Sequence, residues 1–184
     1  MSRVLRLLTV EEHSRDSAGM TYIYPVVSRR ARGVSIGINL NPNNACNWQC
    51  IYCQVPDLTR GGPPPIDLEL LKRELEAFLD PQALDRFMRE QVSAGSRQLQ
   101  DISFSGNDEP STAREFPQAV ALVADVLRDH GLLGELKVRL ITNGSQVEKG
   151  FVKEGLRRLA AANGEVWFKL DAASTQRIAT INRG

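Results

Sequence analysis

Val34-Ser35-Ile36-Gly37-Ile38-Asn39-Leu40 alternates apolar side chains with small or polar ones. Five residues later comes Cys46-Asn47-Trp48-Gln49-Cys50-Ile51-Tyr52-Cys53. The period of two predicts a β-strand, and Asn41-Pro42-Asn43-Asn44 ends it as a loop. A strand that empties into a loop carrying three thiols sets the frame for the rest of the chain.

Working outward toward the C-terminus, Arg60-Gly61-Gly62-Pro63-Pro64-Pro65 is a turn-rich connection. Leu68, Leu71, Leu75, Phe78 and Leu79 then recur at helical spacing, with Asp67 as N-cap. Pro81 interrupts, and Leu84, Phe87, Met88 and Val92 predict a second helix. Asp101–Phe104 reads as a strand ending in Ser105-Gly106-Asn107-Asp108-Glu109-Pro110. Thr112 and Glu115 have capping-box spacing before the stripe Phe116, Val120, Val123 and Leu127, which Gly131 closes. Leu136–Ile141 is a third strand, stopped by Thr142-Asn143-Gly144, and Val152, Leu156, Leu159 and Ala160 mark a further helix. After the Asn163-Gly164 turn, Val166–Leu170 is a fourth strand ending at Asp171, with no further helix expected beyond it.

Strands alternating with helices predict the α/β class, with parallel strands joined by right-handed crossovers. Ligand sites in such sheets lie beyond the carboxyl ends of the strands. The cysteine loop, the Ser105–Pro110 segment, Thr142–Gly144 and Asp171 all fall there. Residues 34–184 are expected to form this core and residues 1–33 an N-terminal extension. Val4–Val10 and Thr21–Val27 are strand candidates in the extension, the second confined to a sheet edge by Pro25.

The 184 residues are 42% hydrophobic and 24% charged, with a formal net charge of +1. That is globular composition, and its charge balance gives no general attraction to polyanions. No apolar run approaches the ~20 residues of a membrane span, and the N-terminus lacks a cleavable leader, so a cytoplasmic location is expected. All three cysteines lie in one loop, an odd number that excludes full disulfide pairing and points to a metal. A 4Fe-4S cubane held by Cys46, Cys50 and Cys53 would leave one iron open to a small molecule. A zinc site is the alternative, with Asp57 as the nearest fourth ligand and His13 and His130 remote in sequence.

The cysteine spacing, C-x3-C-x-aromatic-C with Tyr52 in the aromatic slot, resembles the signature of the radical S-adenosylmethionine enzymes. The resemblance extends over Phe104–Pro110, Thr142–Gly144 and Lys169–Asp171. Among subgroups the chain is similar to the iron-sulfur oxidoreductases related to wyosine-type tRNA-modifying enzymes. The resemblance implies a partial parallel (βα) barrel in which about four of the usual six units are present, and hence a C-terminally truncated core.

It further implies a 4Fe-4S cluster on Cys46, Cys50 and Cys53 whose open iron chelates S-adenosylmethionine. One electron from an external donor, passed through the cluster, cleaves the sulfonium to methionine and a 5'-deoxyadenosyl radical that abstracts hydrogen from substrate. In this likeness Tyr52 lies near the adenine, Ser105, Gly106 and Glu109 receive the methionine ammonium, Asn143 meets the methionine carboxylate and Asp171 the ribose. Local readings stand beside these: Tyr52 as a packed aromatic, Asn143 as the shaper of an Asn-Gly turn, Asp171 as an N-cap. Asp108 departs from the subgroup, which has glycine there.

Arg29, Arg30 and Arg32 form a basic cluster that reads as a solvated face or, less simply, as a tRNA contact. The competing function is a zinc-stabilised module that uses this face to bind RNA or protein without catalysis. Trp48 is expected to shield the metal or anchor its loop, and His130 to sit at a helix end.

Overall fold

The computed structural model describes residues 7–9 and 19–183. Of the strand expected over Val4–Val10, only residues 7–9 fall within that range, where Leu8 bridges Val92. His13 lies outside the described residues.

In chain order the elements are β1 (Ile23–Ser28), β2 (Gly33–Ile38), β3 (Ala45–Cys46), β4 (Thr59–Arg60), α1 (Leu68–Leu79), α2 (Pro81–Gln91), β5 (Leu99–Phe104), α3 (Phe116–Asp129), β6 (Lys137–Thr142), α4 (Gly150–Ala161), β7 (Gly164–Phe168) and α5 (Thr175–Asn182). Five strands make one sheet in the order β1-β2-β5-β6-β7, and β3 and β4 pair separately. The β2, β5, β6 and β7 pairings are parallel, as the alternation of strands and helices predicts. β1 pairs antiparallel with β2 at the edge, where Pro25 is tolerated.

One sheet face carries Val34, Ile36, Ile38, Ile102, Phe104, Val138 and Leu140, all essentially buried. α1 and α3 supply the rest of this core with Leu71, Leu75, Val120, Val123 and Leu127. Phe104 meets Phe116 edge-to-face, ring centroids 5.7 Å apart. α4 approaches α3 closely because Gly155 lacks a side chain: a Cβ there would lie 2.4 Å from the Phe116 ring. Asp67 caps α1 through Leu70 N–H at 2.9 Å. A cap contributes about 1 kcal/mol, whereas burying Leu71 or Leu75 contributes about 1.5–3 kcal/mol each, so packing dominates α1. Asp80 closes α1 and caps α2, with Pro81 in the first turn where its missing N–H has no consequence.

The opposite face is polar. Asp101, 1% exposed, accepts from Ser35, from Ser103 at 3.0 Å and from Arg139. Arg139 also reaches Glu165 at 3.1 Å and lies 4.6 Å over the Trp167 ring. Every charge in this network is paired, the condition for keeping carboxylates and a guanidinium on a largely buried surface. Among the described residues no helix is long and apolar enough to cross a membrane.

Two expectations are corrected. Thr112 and Glu115 do not form a capping box: Thr112 sits in a short 3-10 turn, Pro110–Thr112, and donates to Asp108 and to the Glu109 carbonyl. Glu115 takes the N-cap position of α3 without a side-chain bond, and Pro117 occupies the first turn. The segment after Asp171 is not bare. Ser174 caps α5 by accepting from Arg177 N–H at 3.4 Å.

Candidate metal centre

The cysteine loop springs from the end of β2. Its base is fixed by the β3–β4 pair, with Thr59 N–H donating to Asn44 O and Gly61 N–H to Cys46 O, both at 3.0 Å. Cys53 N–H donates to Cys50 O at 3.0 Å, which folds the last two thiols into one tight turn. Residues far along the chain hold the outer rim: Gln49 N–H donates to Asn182 O at 3.0 Å and Ile51 N–H to Ile181 O at 2.9 Å. All three thiols are free, Cys46 and Cys50 half-buried and Cys53 exposed. Burial is the main cause that holds the Cys46 thiol above its ordinary value, which keeps it protonated in the metal-free protein.

A cavity of about 170 Å³ opens at the carboxyl ends of the strands and is lined by Cys46, Cys50 and Cys53. Four more of the sequence-predicted site residues, Tyr52, Gly106, Asn143 and Asp171, line the same cavity. Ser105 and Glu109 are not among its lining residues. The Ser105 hydroxyl pairs with Tyr24 OH at 2.6 Å, above a point where Gly37 leaves room for the Tyr24 ring.

Glu109 is 1% exposed and accepts from Ser111 Oγ at 2.6 Å, Thr142 Oγ1 at 2.6 Å and Asn143 N–H at 2.5 Å. Its carboxylate therefore ties the end of β5 to the end of β6. Asn143 shapes its turn, accepting from Ser145 N–H at 2.9 Å, and its amide also reaches the cysteine loop at Asn47 Oδ1, 3.2 Å away. The Tyr52 phenol donates to Asp171. Desolvation first and that bond second hold it protonated.

Trp48, Asn107, Asp108 and Lys169 also line the cavity. Of these four, only Trp48 is given a role at the metal by sequence; Asp108 is marked only as a departure from the subgroup's glycine, and Asn107 and Lys169 carry no local signal that singles them out. Burial pushes the Asp108 carboxyl up to about 7, opposed by hydrogen bonds from Thr112 and Asn41. Gly106, at φ 141°, has no room for a side chain: a Cβ would lie 2.4 Å from Asn39 Oδ1. That same Oδ1 accepts from Asn41 and Asn107 N–H at 3.1 and 3.2 Å. Arg29, Arg30 and Arg32 flank the start of β2, the end of the strand opposite the cysteine loop, so this cluster does not face the cavity. His130 caps α3, its Nδ1 2.9 Å from Val126 O.

Among the described residues no three His, Cys, Asp or Glu side chains gather around a single point as a mononuclear metal site. The donor chemistry nevertheless fits an iron-sulfur cluster: three thiols outside any disulfide line one cavity, soft ligands for iron. Two of the cavity-lining residues, Asn107 and Asp108, each bury a side-chain oxygen, Oδ1, without a hydrogen-bond partner, which leaves an acceptor for a ligand N–H.

Residues 40–183 match the family model of the radical SAM superfamily. The chain belongs to this superfamily. It is 24% identical over 165 residues to the UPF0026 protein MJ1312 of Methanocaldococcus jannaschii, covering 89% of this chain and 44% of that protein. It is also 25% identical over 132 residues to a protein named GTPase Obg from Brachyspira hyodysenteriae, covering 72% of this chain and 17% of the relative. The chain thus spans less than half the length of either relative. No solved structure matches it significantly.

Proposed function

We propose that this radical SAM chain binds a 4Fe-4S cluster through Cys46, Cys50 and Cys53 and cleaves S-adenosylmethionine reductively to start hydrogen abstraction from a substrate. The observation that carries the reading is the shared cavity, where three free thiols meet Tyr52, Gly106, Asn143 and Asp171. When bound, the cluster supplies one electron, taken from an external donor, to the sulfonium of S-adenosylmethionine.

The chain's own residues hold and orient. Asn107 and Asp108 line the cavity and each holds a side-chain oxygen without a partner, so they would accept from the N–H groups of the methionine moiety. Asn143 presents its amide near the methionine carboxylate. Tyr52 and Asp171, joined by a hydrogen bond, form the wall facing the nucleoside. Ser105 and Glu109 support from behind, Ser105 through Tyr24 and Glu109 through the backbone of Asn143. Such fixed placement would hold the cosubstrate beside the cluster and make the electron transfer intramolecular.

The strand-helix units from β2 to α5 correspond in this reading to four units of a partial barrel, working in the reducing cytoplasm. The likeness to wyosine-type enzymes makes tRNA the first substrate to test. Anaerobically reconstituted protein given a strong one-electron reductant and S-adenosylmethionine should release methionine and 5'-deoxyadenosine in equal amounts. Iron-loaded, reduced protein that leaves S-adenosylmethionine intact would refute the assignment for this chain.

A further inference from the structure

α5 is an eight-residue helix whose one buried residue is polar: Asn182, 1% exposed. Burying an amide is unfavourable unless it is bonded, and here the partners are specific. The Nδ2 group donates to Cys50 Sγ at 3.3 Å and to Asp171 Oδ2 at 2.6 Å, which uses both of its protons. The orientation of the amide is dictated by its surroundings. Were it turned over, Oδ1 would face the carboxylate oxygen of Asp171, which only accepts, and that bond would be lost. In the observed orientation Oδ1 is the atom left buried without a partner.

The carbonyl of the same residue accepts from Gln49, next to Cys50 in sequence, and Asp171 also accepts from Tyr52 two residues beyond Cys50. Asn182 is thus bonded to the cysteine loop by backbone and side chain at once. Hydrogen bonds to ligating sulfur remove electron density from the metal and stabilise the reduced, more negative state. Resting on the reading of Cys50 as a cluster ligand, we propose that Asn182 is a positioning residue that tunes the cluster: its amide fixes the Cys50 sulfur and raises the reduction potential.

The test is a redox titration of the reconstituted cluster, followed by the electron paramagnetic resonance signal of the reduced state without S-adenosylmethionine. Asn182→Leu keeps volume and removes the donor without adding charge. Asn182→Ser shortens the side chain and leaves the backbone carbonyl in place. Both should retain the parent's iron content and titrate at a more negative midpoint, whereas Asn182→Gln, which restores a donor, should move back toward the parent. Unchanged midpoints at full iron content would overturn the tuning role alone. Loss of iron from both Leu and Ser variants with the fold intact would overturn it in favour of a purely structural contact. Parent protein that takes up no iron would overturn the underlying cluster assignment and this inference with it.

Discussion

The backbone N–H of Asn143 donates to Oε2 of Glu109 at 2.5 Å, so the loop that ends β5 carries the turn that ends β6. Removing that carboxylate strands donors on Thr142, Asn143 and Ser111. Each unsatisfied buried donor costs about 1–3 kcal/mol. Glu109→Ala should therefore lower the stability of the metal-free protein by at least about 1 kcal/mol as well as weaken S-adenosylmethionine binding. Denaturant unfolding beside equilibrium binding checks this: weakened binding at unchanged stability would show a direct ligand contact instead.

Asp108 gives the metal-free protein a defined pH dependence. Its carboxyl is pushed from 3.8 to about 7, chiefly by burial, so the folded state disfavours the ionised form. The penalty is absent below the unfolded value, grows as pH rises from there, and is complete above about 7. Asp108→Asn should gain stability relative to the parent over that interval, with the gain levelling off above it. Urea midpoints measured from pH 4 to 8 that differ by a constant amount would exclude this role.

Much of this arrangement was legible in sequence, for physical reasons that differ by element. The apolar stripes of α1 and α3 report burial directly, because one face of each helix meets the core, whereas the two-residue period of Val34–Leu40 separates an apolar face from an equally buried polar one. The carboxyl-end placement of the site followed from parallel topology alone. The capping-box spacing at Thr112 misled because a tertiary partner, Asp108, takes the hydroxyl. α5 was missed because it buries only Asn182 and so has no apolar stripe. The Asn182–Cys50 contact spans 132 positions, and Glu109 reaches Thr142 and Asn143 across 33 and 34, separations at which no local pattern is written.

Gly106 should tolerate no side chain. Its φ of 141° and the 2.4 Å approach of a virtual Cβ to Asn39 Oδ1 mean that alanine must displace the acceptor shared by the Asn41 and Asn107 backbones. Gly106→Ala should impair S-adenosylmethionine binding, read by equilibrium dialysis with the reconstituted protein. Parent-level affinity would show that this loop adapts.

β7 is the sheet edge opposite β1, and Val166 and Leu170 on and just after it are 50% and 72% exposed. Apolar edges invite pairing between chains. The purified chain should associate as its concentration rises, and Val166→Lys with Leu170→Lys should suppress that association in sedimentation velocity. A parent chain that stays monomeric throughout would contradict the expectation.

Iron content is the most direct measurement. Anaerobic reconstitution should load about four irons per chain, as a cubane requires, and Cys46→Ala, Cys50→Ala and Cys53→Ala should each abolish loading, since the sequence holds only three cysteines. Colourless protein carrying stoichiometric zinc, or a full cubane surviving the loss of any one of the three thiols, would contradict the account.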